Sequence, residues 1–156
     1  MREAPAVTDV IEKLWPYDGP HHPDRVRDAA AALPLLVRYL NNATGPWRRL
    51  STLPYVSDVD TIVGSLMGAV GGLRQLLEQL GDAVAAHQRA GGLYDDQDPA
   101  DVDLAAARAG SAVAALVHTR PTVDRLYQAL AAVQRHTAGL GNHVTAVDLR
   151  GGGGDG

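Results

Sequence analysis

Val63, Leu66, Val70, Leu73, Leu77, Leu80 and Val84 follow one another at alternating steps of three and four residues. Such a repeat commits the segment to an α-helix with one apolar seam. With Val63 at position a of a heptad, the a and d positions run from Val63 to His87, and only His87 is polar. The helix opens at Ser57, with Asp60 three residues on as a variant of the capping box. It continues to about Ala90 and stops at Gly91 and Gly92. At about 1.5 Å per residue it is roughly 50 Å long.

A second apolar stripe follows the "LYDDQD" loop. Val102, Ala105, Ala109, Ala112, Leu116, Thr119, Val123, Leu126, Leu130 and Val133 keep a three-four spacing straight through Pro121. The continuous stripe predicts one helix over 99–138, kinked at Pro121, in preference to two helices. Asp98 is its expected cap, with Pro99 at its first position. The partner of the 57–90 helix is this one, antiparallel across 91–98. In that register His87 faces Val102 and His118 faces Gly71.

An earlier helix is expected from Pro23 to about Ala43, with Val26, Ala30, Leu33, Val37 and Leu40 on one stripe and Pro34 kinking it. Residues 8–14 add two turns capped by Thr8. "WRRLSTLPY" reads as a connector with apolar anchors. Strand signals are nearly absent. The expected fold is therefore all-α: an antiparallel bundle of three long helices plus a short N-terminal one, four-helix-bundle-like. It forms a single domain over 1–150, with a flexible Gly-rich tail at 151–156.

Composition narrows the function classes. The chain of 156 residues has a formal net charge of −4 and no cysteine. That balance excludes a basic nucleic-acid binder, and the missing thiols exclude disulfides and Cys-ligated metals. The charged N-terminus has no apolar h-region, so no secretory signal is read there. No uninterrupted apolar run reaches the roughly 18–20 residues of a membrane span. A cytoplasmic location follows as the expectation.

The stretch "TIVGSLMGAVGGL", 61–73, has no charge and four glycines. Glycine in a helix interior costs roughly 0.5–1 kcal/mol relative to alanine. Gly64, Ser65, Gly68, Gly71 and Gly72 form a thin outer face on which another helix can lie closely. The 23–43 helix is the simplest occupant. A second copy or a helical partner is the other, and the same holds for the Ala-rich stretch with Ala105, Ala109 and Ala112. The far end of the long pair, beyond the reach of the shorter helix, needs covering from elsewhere. A homo-oligomer, a dimer first, supplies it.

Chemistry is sparsely provided. The six histidines do not converge in the expected register, and glutamate occurs only at 3, 12 and 78. A carboxylate di-iron bundle needs more. The acids of "YDDQDPADVD" lack the glycine and distant glutamate of a calcium loop, so they read as caps and a wet loop. No phosphate-binding loop or nucleophile elbow occurs. No cofactor, metal or catalytic residue is expected.

"GPW" (45–47) precedes the second long helix and "YDDQD" (94–98) follows it. This order is similar to that of small helical-hairpin substrates of actinobacterial type VII secretion, which have a Trp-x-Gly turn between two helices and a Tyr-x-x-x-Asp signal after the second. Here the Gly and Trp are reversed and a third helix is extra. The resemblance implies an exported helical-hairpin effector, kept as an alternative. A small-ligand or metal-binding bundle is another. The principal expectation is a non-enzymatic helical interaction or assembly module that self-associates.

Overall fold

The computed structural model describes residues 6–141. It is all-helical, with no strand among the described residues. The helices are α1 (Val7–Leu14), α2 (Pro23–Ala43), α3 (Arg49–Thr52), α4 (Val56–Arg89) and α5 (Val102–Thr137). The chain divides into two compact units, Met1–Pro54 and Tyr55–Gly156. The tail expected at 151–156 lies outside the described residues.

In the first unit, α2 begins at Pro23 as expected and runs through Pro34 without interruption. His22 caps it, its Nδ1 accepting the Asp24 amide at 3.3 Å. Of the connector's expected apolar anchors, Trp47 and Leu50 are exposed and Leu53 is half-buried. The connector is also tied by polar atoms, Thr52 Oγ1 donating to the Ala43 carbonyl at 2.7 Å. For α1, the expected Thr8 cap is replaced by Ala6, which offers no side-chain bond.

The second unit is a helical hairpin. The two long helices pack on each other, and α5 is one helix straight through Pro121. Thr119 Oγ1 donates to the Leu116 carbonyl at 2.6 Å, and His118 Nδ1 lies 2.7 Å from the Ala114 carbonyl. These side-chain bonds lie in the turns before Pro121, next to the Val117 carbonyl, whose amide donor the proline removes.

Both expected caps of this hairpin shift. The α4 N-cap is Tyr55, and the carboxylate that matters is Asp58, which accepts the Tyr55 amide at 2.9 Å. This is the N3 half of a capping box, found two residues before the expected Ser57/Asp60 pair. The α5 cap is Asp101, accepting the Leu104 amide at 2.8 Å. Asp98 instead closes a turn: its carboxylate accepts the Ala100 amide at 3.3 Å and its carbonyl the Asp101 amide at 3.1 Å. Proline is favoured at the second position of such a turn, so Pro99 belongs to the turn and not to the helix.

The register is displaced by about nine residues from expectation, with Tyr127 instead of His118 beside Gly71. Asp60 meets Thr137, Arg74 meets Asp124 and Glu78 meets Arg120. The cause is the connecting loop, which folds back along the first turns of α5 instead of crossing directly. Asp95 is buried there and holds Arg108 at 2.7 Å, while Gln97 accepts from the same guanidinium at 2.9 Å. The acidic loop read as wet is therefore partly docked.

Candidate interaction surface

The hairpin seam is rotated relative to the heptad reading. On α4 the buried residues are Val63, Val70 and Gly81, and Met67, Leu77 and Val84 are half-buried. These are a and e positions, and of the d positions Val59 and Leu73 are half-buried as well. The d-position leucines Leu66 and Leu80 remain 38% and 47% exposed. On α5, Ala105 and Ala109 are buried, and Val113, Leu116, Arg120 and Val123 are half-buried. Ala112, Thr119, Leu126 and Val133, part of the expected stripe, are exposed.

The rotation has a physical cause on one flank of the seam. There α5 carries long polar or aromatic side chains and α4 carries glycine. A Cβ on Gly71 would lie 3.6 Å from the Tyr127 ring, and one on Gly64 would lie 3.1 Å from the Gln134 amide. The same flank holds the Arg74–Asp124 and Glu78–Arg120 ion pairs and the 2.6 Å bond from Thr137 to Asp60. Ion pairs that reach solvent are worth under about 1 kcal/mol each. Together with the space above Gly64 and Gly71, they draw both helices toward this flank and leave Leu66 and Leu80 toward the outside.

The residues expected to form one interaction face therefore lie in three environments. Gly64 and Gly71 border α5 within the hairpin, and Ala105 and Ala109 are buried in it. Ser65, Gly68, Gly72 and Ala112 are exposed. A Cβ on Gly68 or Gly72 would meet nothing within 4 Å.

Neither Gly68 nor Gly72 has a positive φ. Replacing both by alanine is expected to raise stability by about 0.5–1 kcal/mol each through helix propensity alone. Urea unfolding monitored by circular dichroism measures this. A net loss would show that a partner approaches those two positions closely in solution.

The heptad reading does not single out Leu66, Leu76 and Leu80 as a surface. The signal is nonetheless there, because Leu66, Ala69, Leu73, Leu76, Leu80 and Ala83 form a stripe of their own at d and g. Sharing the d leucines with the seam hides it. α4 as a whole contains a long, weakly charged apolar stretch. By length and composition that stretch is sufficient to cross a membrane, a property that a count of uninterrupted apolar residues passes over.

Among the described residues no three His, Asp or Glu side chains come together as metal ligands. Val84, Leu93, Tyr94, Asp95, Ala105 and Arg108 help to line an open hollow of about 300 Å³ at the hairpin tip. Its only buried charge, Asp95, is already paired with Arg108. Tyr94 and Asp98, the pair carrying the type VII resemblance, lie in this loop between the two arms of the hairpin. The chain matches no protein-family model, no curated protein and no solved structure.

Proposed function

We propose that this chain is a non-enzymatic helical interaction module that assembles by self-association in the cytoplasm. One observation carries the reading. Two helices of 34 and 36 residues pack along each other, yet the only buried apolar side chains among the described residues are Val63, Val70, Ala105 and Ala109. Leu66, Leu76, Leu80, Val117, Leu126 and Val133 stay more than a third exposed. A hairpin that buries so little gains stability from further helices, which complete a four-helix bundle.

Those helices come either from α2, giving the three-long-helix bundle with α1 beside it, or from a second chain. The leucine stripe on α4, whose Leu66, Leu76 and Leu80 lie outside the hairpin seam, favours the second chain. Light scattering across concentration is expected to give about twice the 16.4 kDa chain mass. Because association then contributes to folding, the melting temperature is expected to rise with concentration. Each tenfold increase adds up to about 1.4 kcal/mol. A constant mass of 16.4 kDa with a concentration-independent melt would refute self-association and return the covering role to α2.

A further inference from the structure

The polar contacts of the hairpin occupy one flank of its seam. In an antiparallel pair, the opposite flanks of the two helices face the same way. On α4 that flank presents Leu66, Leu76 and Leu80 with the half-buried Leu73, and on α5 it presents the small side chains Ala112, Ala115, Thr119 and Thr122 toward the hairpin tip and the larger Leu126 and Val133 beyond them. We propose that this face is covered by a second copy of the chain, each copy's Leu76 and Leu80 resting on the small residues of the other's α5. The proposal rests on the self-association reading and adds the face and the pairing.

Three properties of the face select a second copy. The first is size. From Ile62 to Ala83 it is roughly 30 Å long, and two helices at 8–10 Å spacing make it about 20 Å wide. The resulting area of about 600 Å² in projection approaches the roughly 800 Å² of accessible surface per partner in a stable interface. A single helix covers only half of that width, whereas another hairpin of equal length covers all of it.

The second property is shape. One column is large and the other small over the half nearer the hairpin tip, so a two-fold axis along the helices sets leucine on alanine and threonine. Over that half the face is complementary to itself under that rotation, as an isologous contact requires.

The third is charge. The α4 flank carries no charged residue from Ile62 to Ala86, and the hairpin's ion-paired acids Glu78 and Asp124 lie on the other flank. On α5 the border of the face is basic, with His118 and Arg125, and Arg125 turns back to donate to Thr122 Oγ1 at 3.1 Å. A two-fold axis across the helices would set α5 on α5 and bring the two Arg125 side chains together, which like-charge repulsion opposes. The axis along the helices puts the basic border beside the uncharged α4 instead.

The chain has no native cysteine, so engineered ones report cleanly. Leu76 and Thr122 lie at the same level of the hairpin. A mixture of Leu76→Cys chains and Thr122→Cys chains is expected to form a mixed disulfide dimer on oxidation, and neither variant is expected to cross-link with itself. Leu80→Arg is expected to lower the association constant at least a hundredfold while far-UV circular dichroism stays helical. Gly68→Arg is expected to leave association unchanged.

The reverse pattern, with Gly68→Arg dissociating the dimer and Leu80→Arg leaving it intact, overturns the proposal in favour of the glycine face. Self-cross-linking of Leu73→Cys without the mixed disulfide overturns the pairing in favour of α4 on α4. Co-sedimentation of wild-type chains with phosphatidylglycerol vesicles, lost in Leu80→Arg while Leu80→Arg remains dimeric, overturns it in favour of a membrane surface. A wild-type chain that is monomeric at every concentration refutes the parent reading itself, a result distinct from the other three.

Discussion

Replacing Arg108 by alanine is expected to destabilise the hairpin by about 2–3 kcal/mol, one of the two largest single-residue effects anticipated here. The Asp95 side chain is 3% exposed and its strongest partner is the Arg108 guanidinium at 2.7 Å. Removing one partner of a buried pair leaves a charge without compensation, at a cost of roughly 3–5 kcal/mol. The lower figure is appropriate because the Arg108 side chain is itself 51% exposed and partly screened. Asp95 retains only the Gln97 amide, at 2.9 Å. The loop is then expected to lift away from α5 and expose Ala105 and Ala109. Adding Asp95→Asn to Arg108→Ala is expected to recover a large part of the loss, because a buried amide costs less than a buried carboxylate. Urea unfolding of the two variants and the wild type completes the comparison. A loss below about 0.5 kcal/mol would show that water already reaches Asp95 and that the loop is not held by this pair.

That loop also separates what could be read along the chain from what could not. Helix positions followed from periodicity: α4 and α5 each differ by no more than a few residues from the spans set by their apolar repeats. Pro121 did not split α5, and the apolar stripe continues through it. Caps were less legible. At 98–101 two aspartates compete, and the turn favoured by Pro99 leaves the cap to the later one. Register was least legible, because it depends on a contact between Asp95 and Arg108 that no local pattern announces. The a and d leucines identified the helix correctly but not its buried side. Gly64 and Gly71 admit Gln134 and Tyr127, and that choice, made across the seam, leaves Leu66 and Leu80 toward the surface. A candidate face made of such leucines becomes visible only when both helices are in place.

Pro121→Ala is expected to stabilise the hairpin by about 2 kcal/mol. Proline inside a helix is unfavourable by about 3 kcal/mol relative to alanine, through the lost amide donor and the clash with the carbonyl four residues earlier. Part of this is returned, since alanine frees the unfolded chain by roughly 0.4–1 kcal/mol of conformational entropy. Pro121 is exposed, so its replacement removes little packing. For a unit of this size, about 2 kcal/mol corresponds to a rise on the order of 10 °C in melting temperature. The measurement has a second reading in the dimer. Thr119 and Thr122 flank Pro121 and belong to the face proposed to receive the second copy. If the proline only burdens the helix, the variant melts higher and associates as strongly as before. If its ring sets the path of α5 on which the leucines rest, the variant gains stability at low concentration, where chains are single, and loses association at high concentration. A variant that melts lower at every concentration would sink both versions, because it would show that the ring itself is needed to keep the two arms of the hairpin in contact.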